Sequence, residues 1–302
     1  MHASPEPSRG VPGGTVALPG VAGLASRFDG FIVDQWGVLH DGARPYPGAL
    51  ECLERLRAAG KHVVVLSNSG RREAENVRLM ERMGFPGGLF DRMVSAGEDA
   101  RESIVNRSSP FHSRLGRRCY AFTRAGDRSI LEGIGLAFVA SVEEADFLAA
   151  IGIDSPTRAV ADYEAQLREA VSRGLPMLCA NPDFARFHSG RLVEATGVLA
   201  RRYEQLGGEV FYHGKPWPAI YASCLAALGH CAPGRVVAVG DSIEHDILGA
   251  ARAGLPSAFV AGGVHAGELG VAHGGEPDPA LWSAFERRAL ARPDYRLPAF
   301  VW

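Results

Sequence analysis

Short apolar runs alternating with helical patterns limit this fold more than any other feature. Phe31 to Val33 is apolar and ends at Asp34. A helical pattern follows over 47–59, with Leu50, Leu53 and Leu56 on one face and Gly60 closing it. His62 to Leu66 then holds three consecutive valines, the pattern of a strand buried on both faces. It runs into Ser67-Asn68-Ser69-Gly70, ahead of a charged helix over 71–83. Strands hidden on both faces and joined by helices predict a parallel α/β sheet.

The alternation returns further on. Strands are expected at 118–123, 147–151, 177–180, 210–212, 235–239 and 257–260. Helices are expected at 127–133, 163–173, 193–206, 217–228 and 245–253, with a shorter one near 279–289. With 302 residues, at roughly 150 per domain, about two domains are expected. The division read from the pattern is a flexible N-terminal extension over 1–23 and a core over 24–105. An inserted α/β unit over 106–206 follows, then the rest of the core with a C-terminal tail over 207–302.

Composition excludes several classes. Hydrophobic residues are 46% and charged residues 22%, ordinary for a globular chain. The net charge of −2 argues against a broad nucleic-acid or anionic-membrane footprint, and no apolar run reaches the roughly 18 residues of a membrane span. Five scattered cysteines make no disulfide framework, and the N-terminus lacks a basic segment followed by an apolar one, so a cytoplasmic location is expected. Among 32 basic residues only Lys61 and Lys215 are lysines. Arginine replaces lysine easily on a solvated surface but not where a compact ammonium must fit. Lys61 lies near a helix end; Lys215, in His213-Gly214-Lys215-Pro216, has no such ready explanation.

Ligands of open parallel sheets bind at the carboxyl ends of strands. Asp34, Ser67 and Asp241 lie at such ends, and Asp246 follows on the first turn of the next helix. Each Asp alone could cap a helix and Ser67 could be an N-cap. Three carboxylates and a lysine on one rim call for a cation, and all-oxygen ligands suit Mg²⁺. Gly37 and Gly42 allow a tight turn and a flap after Asp34.

These segments together resemble the haloacid dehalogenase (HAD) superfamily, most closely its class IIA branch of p-nitrophenyl phosphatase-like and sugar-phosphatase-like enzymes. Four motifs stand in order: Phe31-Ile32-Val33-Asp34-Gln35-Trp36-Gly37-Val38, Leu66-Ser67-Asn68-Ser69, Lys215 of Gly214-Lys215-Pro216, and Gly240-Asp241-Ser242-Ile243-Glu244-His245-Asp246. The resemblance spans about residues 24 to 265. It implies a Rossmann-like parallel-sheet core with an inserted α/β cap domain. Asp34 would be the nucleophile that forms an aspartyl phosphate, with Ser67 and the Asn68 amide binding phosphoryl oxygens and Lys215 neutralising charge. Mg²⁺ would be held by Asp34, the Trp36 carbonyl, Asp241 and Asp246. Asn181-Pro182-Asp183, otherwise an ordinary turn, corresponds to a substrate-reading loop of the cap. His213, His245 and Arg71 lie near motif residues and are further candidates for substrate contact.

One position departs from the family pattern. The usual second Asp, two residues after the nucleophile, is Trp36, whose indole cannot serve as acid or base. General acid–base help is worth roughly 10²- to 10⁴-fold. His40 and Asp41 on the flap are the expected substitutes, His40 first. The expected function is a Mg²⁺-dependent phosphatase-like hydrolase acting on a small phosphorylated metabolite, with no nucleic-acid or membrane partner. The alternatives are a catalytically weakened phospholigand-binding or regulatory protein on the same scaffold, and a phosphotransferase. Oligomeric state is left open, a homodimer included.

Overall fold

The computed structural model describes residues 14–188 and 191–302. In chain order the strands are β1 (Val16–Ala17), β2 (Gly30–Asp34), β3 (His62–Ser67), β4 (Arg92–Ser95), β5 (Arg118–Phe122), β6 (Ala137–Phe138) and β7 (Phe147–Ala150). They continue as β8 (Met177–Cys179), β9 (Ala185–His188), β10 (Arg191–Glu194), β11 (Val210–Tyr212), β12 (Val236–Gly240), β13 (Ser257–Val260) and β14 (Tyr295–Leu297). The chain divides into two compact units. The first comprises the chain up to Ser67 with Ala74–Val94 and Lys215–Trp302; the second comprises Asn68–Glu73 and Ser95–Gly214.

The first unit is built on a seven-stranded sheet of order β1-β14-β13-β12-β2-β3-β4. The pairings from β1 through β14, β13, β12 and β2 to β3 are all parallel. Val63, Val64 and Val65 are all buried, so β3 is covered on both faces, as expected of three valines in a row. On one face Phe31, Val33, Val63, Val65, Val237 and Val239 pack with Leu53 and Leu56 of the helix Ala49–Ala58.

The second unit carries its own five-stranded parallel sheet, order β11-β8-β7-β5-β6, and β9 and β10 form a separate antiparallel pair. Its core includes Ile104, Phe111, Leu115, Phe147 and Leu178.

Several sequence expectations need correction. The division at 206/207 fails because β11 pairs with β8, which keeps the chain in the second unit to Gly214. The division at 105/106 fails because the whole helix Ala96–Asn106 packs there, through Ala100 and Ile104. The expected N-terminal extension lies outside the described residues as far as residue 13. Beyond that it is not free chain: the Val16 and Leu18 amides donate to the Asp294 and Arg296 carbonyls, and Val21 is buried. The helix expected over 127–133 is only a 3₁₀ turn, Ser129–Leu131, with Gly133 in a left-handed conformation just after it. The helix expected over 193–206 starts only at Thr196, because the residues before it form β10.

Candidate active site

The site begins with strand order. β12, β2 and β3 are neighbours, so Asp241, Asp34 and Ser67 follow or end three adjacent parallel strands. Register adds precision, with Val33 paired to Val239 and Asp34 to Leu66. Asp246 comes from the turn Ile243–Ile247, whose N-terminus is capped by Ser242. Carboxylate oxygens of Asp34, Asp241 and Asp246 lie within 4.8 Å of one another, and all three residues are buried.

Lys215 Nζ joins two of them, at 2.6 Å from Asp34 Oδ1 and 2.8 Å from Asp246 Oδ1. The Gln35 amide donates to Asp34 Oδ1 at 2.8 Å, the Val264 amide to Asp241 Oδ2 at 2.6 Å, and the Ser242 amide to Asp246 Oδ2 at 3.1 Å. Asp34 Oδ2 and Asp241 Oδ1 are not taken up by these bonds. Burial pushes the Asp34 carboxyl well above its ordinary range; Lys215 pulls it back and the Asp246 carboxylate adds to the rise. Asp241 is pushed up too, by burial first and then by Asp34 and Asp246. Burial works against the Lys215 ammonium, yet Asp246 and Asp34 outweigh it and hold the group charged.

Three glycines make room for the cluster. A Cβ on Gly37, where φ is +85°, would stand 1.9 Å from Asp241 Oδ2. One on Gly263 would stand 2.2 Å from Asp241 Cβ, and one on Gly240 2.0 Å from Asp246 Cγ. The residues fit a divalent cation. Their donors are all oxygen, three carboxylates face one ammonium, and ligand oxygens around one Mg²⁺ lie about 3 to 4 Å apart at bond lengths of about 2.0 to 2.1 Å.

Ser67 is tied to the motif after Asp34 by a residue that sequence reasoning passed over. Gln35 Nε2 donates to Ser67 Oγ at 2.5 Å. The only available signal was the position of Gln35 immediately after a strand-end carboxylate. Trp36 is 44% exposed, and its indole nitrogen would lie 2.8 Å from a Cβ on Gly42, so the ring lies along the flap.

The expected substitute acids are not placed for that role. His40 is buried edge-on to Phe85, with Nδ1 accepting from the Gly42 amide at 3.0 Å. Burial lowers its pKa to about 4, so the ring is neutral near pH 7. Asp41 is exposed and accepts from the Ala43 and Arg44 amides; those bonds hold its carboxyl below the usual range, ionised and without a proton to give.

In the second unit, Asn68 Nδ2 donates to Asp183 Oδ1 at 2.8 Å, and the Asp183 amide donates to Asn181 Oδ1 at 3.0 Å. The structure thus brings Asn68, Asn181 and Asp183 together. A Cβ on Gly214, φ +114°, would stand 2.7 Å from Asn68 Oδ1 and 2.8 Å from the Pro182 ring. His213 does not face a ligand-accessible surface. It is fully buried, with Nδ1 2.6 Å from Asp99 Oδ2 and Nε2 3.1 Å from His112 Nε2; His112 Nδ1 in turn lies 2.7 Å from Ser109 Oγ. His245 rests on the Ser242 hydroxyl at 3.1 Å, and the Arg71 side chain is exposed.

A parallel α/β sheet with this carboxylate–lysine rim is the framework of a hydrolase class, and comparison with known proteins identifies which. Residues 31–137 match the family of haloacid dehalogenase-like hydrolases, and residues 212–282 match a second HAD-hydrolase-like family. Human chronophin is 30% identical over 80% of this chain and 83% of that protein. A haloacid dehalogenase-like hydrolase from Brucella suis 1330 superposes with a TM-score of 0.76 at 31% identity, covering 94% of this chain and all of the other. Glycerol phosphate phosphatase from Mycobacterium tuberculosis, solved in complex with magnesium, gives 0.66 at 25% identity over 90% of this chain and 75% of that one. The chain belongs to the haloacid dehalogenase superfamily, class IIA, as one of its phosphoric monoester hydrolases. No described helix is long and apolar enough to cross a membrane.

Proposed function

We propose that this chain is a Mg²⁺-dependent phosphomonoesterase of the cytoplasm, acting on a small phosphorylated metabolite with Asp34 as nucleophile. The observation that carries the reading is the buried cluster of Asp34, Asp241 and Asp246 with Lys215 between two of its members. Asp34, Asp241, Asp246 and the Trp36 carbonyl would hold Mg²⁺, which supplies charge neutralisation on the phosphoryl group when bound.

The chain's own groups do the rest. Lys215 opposes the effect of burial on Asp34 and favours the ionised form that attacks phosphorus, and Ser67 with the Asn68 amide receives the phosphoryl oxygens. A bond forms between an Asp34 oxygen and phosphorus as the ester oxygen departs. Water then attacks the same phosphorus, releasing inorganic phosphate and restoring the carboxylate. Gln35 orients the Ser67 hydroxyl for this work. The second unit is the cap, with Asn181 and Asp183 as its substrate-reading residues. The five cysteines are all free, in keeping with a reducing compartment.

Trp36 shapes the chemistry. With His40 buried and neutral and Asp41 ionised, a leaving oxygen receives no proton from the flap, so groups that depart unprotonated are favoured. Turnover of p-nitrophenyl phosphate and of glycerol phosphate, with and without Mg²⁺, tests the reading. Wild type is expected to need Mg²⁺ and to favour the aryl ester by about 10²-fold or more. Asp34→Asn should abolish turnover of both, and Trp36→Asp should raise the alkyl ester alone. Mg²⁺-independent turnover, or an active Asp34→Asn, would overturn the proposal.

A further inference from the structure

Within the second unit, a hollow of about 610 Å³ is lined by Arg101, Arg107 and Arg117 together with Val105, Ile134 and Leu136. That size suits a small organic ligand. Some arginines of this unit are paired with acids, among them Arg118 with Asp146, Arg202 with Glu164 and Arg114 with Glu209, while others, such as Arg173 and Arg186, donate to backbone carbonyls. The three around the hollow make no ion pair among the described residues. Arg101 Nη1 donates to the Ile130 and Glu132 carbonyls at 3.0 and 2.6 Å. Arg107 Nη1 donates to the His112 and Leu115 carbonyls, both at 2.8 Å. Each guanidinium is thereby fixed through one nitrogen, and its remaining N–H groups are left for another acceptor. Arg117 is engaged through its backbone: its amide donates to Asp146, whose carboxylate is already held by Arg118, and its carbonyl accepts from the Ala137 amide. The lining carries one carboxylate, Glu102.

Arg107 adds a second observation. It closes the helix Ala96–Asn106 with φ +50° and ψ +45°, a left-handed position where glycine or asparagine is usual. The residue at this strained position is an arginine whose guanidinium is fixed by the His112 and Leu115 carbonyls. The lining also has two glycines with positive φ, Gly133 and Gly135, where a Cβ would meet nothing within 4 Å, so this backbone borders open space.

We propose that this hollow is a binding site for a small organic anion, a phosphate or carboxylate borne on an apolar body. The three guanidinium groups bind the anion, and Val105, Ile134 and Leu136 cover the apolar part. Planar guanidinium forks suit phosphate and carboxylate oxygens alike.

The test is calorimetric titration of the full chain with benzylphosphonate, phenylacetate and inorganic phosphate, repeated on Arg117→Ala. The Arg117 side chain has no described partner, so its removal leaves the fold intact, which circular dichroism and unchanged p-nitrophenyl phosphate turnover would verify. Wild type should bind benzylphosphonate or phenylacetate saturably, the tighter of the two identifying the anion. Arg117→Ala should weaken that binding about tenfold or more, and Arg117→Lys should restore part of it. Absence of saturable binding by both organic anions, or equal affinity in Arg117→Ala, overturns the site. Inorganic phosphate losing as much affinity in Arg117→Ala as benzylphosphonate does overturns the apolar component.

Discussion

At the residue scale, His40 shows how burial decides what a side chain can do. Proximity to Asp34 in sequence suggested a proton donor, but its ring is buried against Phe85. Its pKa falls from 6.5 to about 4 through desolvation, partly opposed by Asp41. The unfolded chain therefore takes up a proton that the folded one refuses. Stability is complete above about pH 6.5 and is lost as pH falls toward 4, with this group alone costing about 2 kcal/mol at pH 5. His40→Asn retains an acceptor for the Gly42 amide and cannot titrate. Denaturant titrations of the two proteins should nearly agree at pH 8 and diverge at pH 5, the variant being the more resistant. Turnover of alkyl phosphates should be unchanged by the substitution; a selective loss would restore His40 as the acid.

At the element scale, the helix Ala96–Asn106 and His213, just after β11, are joined by a buried contact from Asp99 across 114 residues of sequence. Asp99→Ala leaves the His213 Nδ1–H without an acceptor in a site closed to water, at a cost of about 1 to 3 kcal/mol. Amide exchange should accelerate across Ser95–Gly214 and remain unchanged in β2 and β12. Faster exchange in those core strands instead would show that the contact does not act within the second unit. This helix, and β4 before it, were not legible in the sequence. Arg92–Ser95 is only four residues at the edge of its sheet, and the helix begins with the charged stretch Gly97 to Glu102. β14 is likewise three residues in a tail without periodicity, held by pairing on both sides. β2, β3 and β12 were legible because burial on both faces forces their residues to be apolar, which a single sequence displays directly. The carboxylates stood out as polar interruptions at the ends of those runs. Gln35 and Gly263 did not, because their roles depend on what a distant strand end brings beside them.

At the scale of the whole molecule, all three carboxylates of the candidate cation site belong to the first unit. Three buried carboxylates share one ammonium, so without a cation their mutual repulsion is borne by that unit's folding free energy. A ligand that binds only the folded state stabilises it by about 2.7 kcal/mol at a hundred times its dissociation constant. For a unit of this size that raises the unfolding temperature by about 5 to 10 °C. Saturating Mg²⁺ should therefore raise the transition of the first unit and leave that of the second where it is, with EDTA reversing the change. Asp241→Asn separates metal binding from charge relief, because the two effects have opposite signs. In EDTA the variant should melt above wild type, since a carboxyl that folding must either hold charged beside its neighbours or protonate is gone. In Mg²⁺ it should melt below wild type, since a ligand is gone as well. Calorimetry with intrinsic fluorescence of both proteins in both conditions gives the four values. If Asp241→Asn melts below wild type in EDTA, the carboxylates were not under electrostatic strain and the cation reading of the cluster fails.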